Sequence, residues 1–124
     1  MITGTTSGVG LNTVKAMVDR GWRVVTANRD PVRAAKAADS LGIDSSQVNH
    51  LRIDMGDLDS VRVGVETLIG SISGELDAVV CNAAVYKPRL KQPELSPQGY
   101  EISMATNRSE EHTSELQSQF RISY

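Results

Sequence analysis

The run Thr3-Gly4-Thr5-Thr6-Ser7-Gly8-Val9-Gly10 decides how this chain is read. Its glycines let the backbone turn tightly and come close to a ligand, and the helix that follows begins with unpaired N–H groups at the positive end of its dipole. Such a cradle accepts a phosphate or pyrophosphate. Only Met1, Ile2 and Thr3 precede Gly4, so the strand that would aim the turn is expected to be clipped to Ile2-Thr3.

Beyond the turn, Leu11, Val14, Met17 and Val18 recur at helical spacing and Gly21 follows as a stop, which predicts a helix over about residues 10–20. Trp22 to Ala27 is short and β-branched, the mark of a buried parallel strand. Asp30-Pro31 supplies an N-cap and a first-turn proline for an alanine-rich helix closed by Gly42. A third strand is expected over His50 to Ile53. Leu58, Val61, Val65, Leu68, Ile69 and Ile72 then line one face of a longer helix, with Asp57 as cap and Gly74 beyond its end. Leu76 to Cys81 reads as a fourth strand, Asn82 to Glu94 as a proline-bearing loop, and Ser96-Pro97 as the start of a helix reaching about Asn107.

Strands alternating with helices of this length form βαβ units. The expected fold is therefore α/β, a Rossmann-like doubly wound parallel sheet, left incomplete by the clipped first strand and by the lack of strands after the fourth. The expected organisation is one partial dinucleotide-binding domain over residues 1–107, followed by a disordered tail over residues 108–124.

Composition narrows the class of protein. With 124 residues, 40% hydrophobic content and a formal charge of −2, the chain fits a single globular domain. Lysines and arginines are interspersed with acids, so nothing points to nucleic acid as a partner. No apolar run approaches the roughly 20 residues that cross a bilayer. The turn follows Met1 so closely that no signal or transit peptide fits before it, and any address label would lie upstream. Cys81 is the single cysteine, and with His50 and His112 far apart there is no zinc spacing and no metal is expected. Cys81 reads as a small core residue, because no adjacent histidine activates it as a nucleophile.

The candidate site residues follow from the βαβ frame. The second strand ends in Asn28-Arg29-Asp30, where an NAD-preferring domain offers a carboxylate to the ribose 2′-hydroxyl. Arg29 near that place favours the 2′-phosphate of NADPH instead, unless it is a solvated side chain paired with Asp30. Asp54 in Arg52-Ile53-Asp54-Met55 accepts a hydrogen bond from an adenine amino group or forms a turn beside Asp57 and Asp59. Asn82 in Asn82-Ala83-Ala84 either ties strand ends together or lies along the cofactor. The residues assigned to NADPH are Gly4, Thr6, Ser7, Gly8, Val9, Gly10, Arg29, Asp54, Met55, Asn82, Ala83 and Ala84.

The glycine spacing Gly-x-x-x-Gly-x-Gly after Thr3 resembles the short-chain dehydrogenase/reductase family. Ala27-Asn28-Arg29-Asp30, Leu58-Asp59-Ser60-Val61-Arg62, Val80-Cys81-Asn82-Ala83-Ala84-Val85-Tyr86, and Gly99-Tyr100-Glu101 with Thr106-Asn107 extend the resemblance over residues 2–107. These stretches are most similar to the light-dependent, protochlorophyllide-reducing branch of that family. The resemblance implies NADPH as hydride source, protochlorophyllide as pigment substrate, and a plastid or the cytoplasm of a photosynthetic bacterium as location. It also implies peripheral association of the parent with membranes and a catalytic role for Asn107, which helps position a proton-relay water and a lysine. A buried asparagine kinking its helix is the structural alternative for Asn107.

The family's Tyr-x-x-x-Lys pair has no counterpart, since Tyr86, Tyr100 and Tyr124 each lack a lysine four residues later. The chain by itself is therefore expected to be inactive. The run Arg108-Ser109-Glu110-Glu111-His112-Thr113-Ser114-Glu115-Leu116-Gln117-Ser118 resembles the translation of a sequencing-library adapter, and is expected to be foreign to the fold. Two other functions stay open: an NADP-dependent short-chain enzyme acting on retinoid- or steroid-like substrates, and a non-catalytic nucleotide-binding protein. The oligomeric state is not legible in the sequence.

Overall fold

A computed structural model describes residues 1–72, 75–87 and 91–112, with the side chains of 109–112 left aside. The chain divides into two compact units: Met1–Ile53 with Val79–Asn82, and Asp54–Ala78 with the chain from Ala83 onward.

The first unit holds a parallel sheet in the order β1-β2-β3, with β1 at Ile2–Thr3, β2 at Val24–Asn28 and β3 at Val48–Arg52. Ile2 lies opposite Thr26, and Val24 to Asn28 run in register with Val48 to Arg52. Helix α1 (Gly8–Val18) connects β1 to β2, and α2 (Pro31–Ser40) connects β2 to β3. Parallel neighbours need such crossovers, because a tight turn cannot return the chain to the same end of the sheet. Helix α1 packs on β1 and β2, α2 packs on β2 and β3, and the two helices touch.

The core of this unit is the cluster Ile2, Leu11, Val14, Val18, Val24, Ala38 and Ile43. Three of these come from the i, i+3, i+7 stripe of α1, so the periodicity that makes the helix amphipathic also seats it on the sheet. Full burial of each large aliphatic side chain stabilises by about 1.5–3 kcal/mol. Gly21 ends the turn after α1 at φ +85°, with its N–H donating to the Val18 carbonyl at 2.8 Å. At α2, Asp30 caps as expected: its Oδ1 accepts from the Arg33 N–H at 3.0 Å, with Pro31 in the first turn.

The fourth strand expected over Leu76 to Cys81 is reduced to one bridge. Val80 pairs in parallel with Ile2, donating to the Met1 carbonyl at 2.8 Å and accepting from the Thr3 N–H at 3.1 Å. A two-residue β1 offers at most two positions to pair with, and Val80 takes the one at Ile2. Even so, Val80 lies on the side of β1 opposite β2, so the strand order reverses at β1.

In the second unit, α3 (Leu58–Ser71) is capped by Asp57, whose Oδ1 accepts from the Asp59 N–H at 3.1 Å. Gln98 adds a second cap by donating to Asp57 Oδ1 at 2.9 Å and accepting from the Leu58 N–H at 3.3 Å. The bond from Gln98 holds the half-buried Asp57 carboxyl below its ordinary pKa. The buried stripe is Val61, Gly64, Val65 and Leu68. Ile69 departs from the expected face and is exposed, while Ile72 leaves the helix in extended backbone. Gly74 lies outside the described residues.

The last helix also departs from expectation. Ser96-Pro97 does not start it; the Ser96 carbonyl accepts from Gly99 N–H at 2.9 Å, and Leu95 bridges antiparallel to Glu101. Gly99 at φ +84° cannot continue a right-handed helix. Helix α4 therefore begins at Ile102, where the Glu101 carboxylate accepts from the N–H groups of Ser103 and Met104 at 3.1 and 2.9 Å. It continues through Asn107 to His112, so the expected change of character at Arg108 is not a break in the helix. The rest of the expected tail, from residue 113, lies outside the described residues.

Candidate functional site

Strand order reverses at β1, and in open parallel sheets ligands bind at the carboxyl end of the strands where that happens. The glycine turn stands at that place. Gly4 takes φ +68° and donates its N–H to the Ala27 carbonyl at 3.1 Å, and Gly8 takes φ +58°. Both values lie in the left-handed region that glycine enters without strain.

Two asparagines grip the turn. From the end of the Val80 segment, Asn82 donates its side-chain amide to the carbonyls of Thr3 and Gly4 at 3.1 and 3.0 Å. Its backbone N–H donates to Thr3 Oγ1 at 3.0 Å. From the end of β2, Asn28 accepts the Thr5 N–H at 2.7 Å and donates to Thr5 Oγ1 at 2.8 Å. Between the two open readings of Asn82, the geometry supplies the tie between strand ends.

Gly10 closes the cradle from the helix side. A Cβ there would lie 2.3 Å from the Gly4 carbonyl oxygen and 2.5 Å from Asn82 Nδ2, so only glycine lets α1 sit this close. Ser7, although a favoured cap residue, makes no side-chain cap hydrogen bond, leaving the N–H groups of the first turn of α1 without a side-chain acceptor among the described residues. Ser7, Gly8 and Val9 are exposed, Val9 to 76%. The open face, the uncapped helix start and the excluded Cβ together fit the pyrophosphate of a dinucleotide.

Arg29 follows Asn28 and is exposed. Asp30 is engaged in capping α2, and no ion pair among the described residues involves Arg29. Its guanidinium is thus not taken up by the neighbour that the solvated alternative required.

The remaining expected site residues belong to the second unit. Asp54 folds back on its own turn: its Oδ1 accepts from Gly56 N–H at 2.9 Å, and its N–H donates to Ser60 Oγ at 2.8 Å. Met55 is buried, Ala83 half-buried and Ala84 exposed. Asn107 is exposed rather than buried, and both ends of its amide engage the backbone of Val85. Cys81 is exposed too, which corrects its reading as a core residue. With Val80 held by a single bridge, no ladder carries the chain inward past it.

Sequence reasoning passed over Asn28 and Thr5. The available signal was an asparagine closing the short, buried run of β2, where a buried amide must find partners. Among the described residues no group of three or more His, Cys, Asp or Glu side chains is placed to hold a metal, and no helix is long and apolar enough to cross a membrane.

The short chain dehydrogenase family model matches residues 1–109, and the chain belongs to that family. Within it, the chain is 44% identical over 108 residues to the chloroplastic protochlorophyllide reductase of Daucus carota, covering 86% of this chain and 27% of that protein. The chloroplastic protochlorophyllide reductase of Chlamydomonas reinhardtii matches with the same identity and coverage. The chain thus spans about a quarter of the length of these relatives. Among solved structures, the 3-ketoacyl-(acyl-carrier-protein) reductase of Brucella melitensis, complexed with NADH, shares the fold with a TM-score of 0.73 at 22% identity, covering 96% of this chain and 48% of that one.

Proposed function

We propose that this chain is the cofactor-binding part of an NADPH-dependent, light-driven oxidoreductase that reduces protochlorophyllide to chlorophyllide in plastids. The observation that carries the reading is the glycine turn at the strand-order reversal, gripped by Asn28 and Asn82 and followed by the exposed Arg29. Similarity to chloroplastic protochlorophyllide reductases supports the substrate and the location.

On this reading, the amides of Thr6, Ser7, Gly8 and Val9 face the pyrophosphate, and Gly4 and Gly10 let the backbone approach it. Arg29 pairs with the ribose 2′-phosphate through a fork of donors. Asp54 and Met55 belong to the adenine side, and Ala83 and Ala84 to the path of the cofactor beyond Asn82. When bound, the nicotinamide supplies the hydride for the pigment's ring double bond. Asn107 holds the loop at Val85, and a proton-relay water is its expected further partner. The Tyr-x-x-x-Lys pair has no counterpart among these 124 residues, so the part of the reaction assigned to this chain is cofactor binding.

Titration of the chain with NADPH and NADH tests the binding half. Saturable binding that favours NADPH supports the reading, and no binding of either overturns it. The reaction is tested by giving the full protein encoded by the source transcript NADPH and protochlorophyllide, first in darkness and then under a flash. Bleaching of the substrate's red band only after the flash supports light-driven reduction, whereas dark turnover of a retinoid, with none in light, identifies the other short-chain activity.

A further inference from the structure

The side chain of Asn28 reaches from the end of β2 into the glycine turn by a pair of hydrogen bonds to Thr5, and its position beside Arg29 gives those bonds a consequence for ligand recognition. Asn28 is 4% exposed and Thr5 1%, so neither exchanges these bonds for water. A planar amide that accepts from the N–H and donates to the hydroxyl of one residue fixes both its peptide plane and its side-chain rotamer. The plane so fixed is the one from which the chain departs toward Thr6, Ser7 and Gly8. Asn28 is itself held from behind, since its carbonyl accepts from Ile53 N–H at 2.9 Å. The residue that follows β2 is Arg29, whose side chain is exposed.

We infer that Asn28 is a positioning residue that sets the pyrophosphate turn against the 2′-phosphate reader Arg29, acting through Thr5. This rests on the cofactor reading above. Two consecutive residues divide the work: Asn28 governs recognition of the 5′-phosphates through the turn, and Arg29 governs recognition of the 2′-phosphate directly. Loss of the Asn28 amide leaves Arg29 where it is but frees the turn to adopt other peptide orientations, so its amides no longer converge on one point.

The test uses the full chain and two probes that each read one half of the site: ADP for the turn and adenosine 2′-phosphate for Arg29, followed by NMR shift titration. Asn28→Ala is expected to weaken ADP and NADPH by about tenfold while adenosine 2′-phosphate binds within about twofold of wild type. Arg29→Ala is expected to show the converse pattern. Thr5→Val, which removes only the hydroxyl partner, is milder and gives an intermediate loss for ADP, and Thr5→Ser restores wild-type binding. Parallel loss of both probes in Asn28→Ala and Thr5→Val, accompanied by a lower unfolding midpoint, overturns the inference in favour of general support of the fold. Unchanged ADP binding in both variants overturns it as well. If the wild-type chain binds neither probe nor NADPH, the cofactor reading itself has failed, an outcome distinct from either of these.

Discussion

Asn107 grips Val85 as a neighbouring strand would, its Oδ1 accepting from the Val85 N–H at 2.7 Å and its Nδ2 donating to the Val85 carbonyl at 3.0 Å. A side-chain amide has the donor and acceptor pair of a peptide group, so it can satisfy both backbone atoms of an unpaired loop residue at once. The loop after Asn82 is thereby tied to α4. Asn107→Ala is expected to lower stability by about 1 kcal/mol, because the freed groups are partly reached by water. Hydrogen exchange at the Val85 amide is the direct check, and unchanged protection there would refute the clamp.

Two glycine substitutions are expected to act in opposite directions. Gly10→Ala drives a Cβ into the Gly4 carbonyl and Asn82, and is expected to cost at least the upper end of the about 1–3 kcal/mol typical of overpacking, with loss of NADPH binding. Gly70→Ala places its Cβ in open space near the end of α3 and is expected to stabilise by about 0.5–1 kcal/mol. Urea midpoints of the two variants that move the same way would contradict the assignment.

Arg29→Gln is expected to weaken NADPH by about tenfold at low salt and leave NADH nearly unchanged. Since the guanidinium is exposed, the difference shrinks as ionic strength rises. Equal weakening of both cofactors would place Arg29 elsewhere than at the 2′-phosphate.

His50 makes the fold sensitive to mild acid. It is half-buried on β3 with its Nδ1 2.7 Å from Thr26 Oγ1, and burial pushes its pKa below the ordinary value, with Asp39 pulling weakly the other way. The unfolded chain then binds more protons than the folded one, so stability rises with pH across this window. The contribution is complete above about pH 6.5, the unfolded value, and is lost as pH falls toward the folded value. Comparison of urea midpoints at about pH 7.5 and 5.5 checks this. His50→Gln is expected to reduce the drop, and an equal drop in wild type and variant would refute it. The carboxyl of Asp57, held low by Gln98, titrates in a more acid range and does not confound the comparison.

Much of this protein was legible residue by residue, because the features concerned are local. The glycine turn, the apolar stripe of α1, the cap at Asp30 and the cap at Asp57 each depend on residues within a few positions of one another, and the chain's own periodicity specifies them. The parallel sheet followed from the alternation of these elements. Only the tertiary structure decided which distant groups complete the turn. Asn28 reaches Thr5 across 23 positions and Asn82 reaches Gly4 across 78, and no local spacing encodes either contact. It also decided that Val80 forms one bridge instead of a strand, and that Gly99 delays α4 to Ile102. Local chemistry determined the elements; the closure of long loops determined the site.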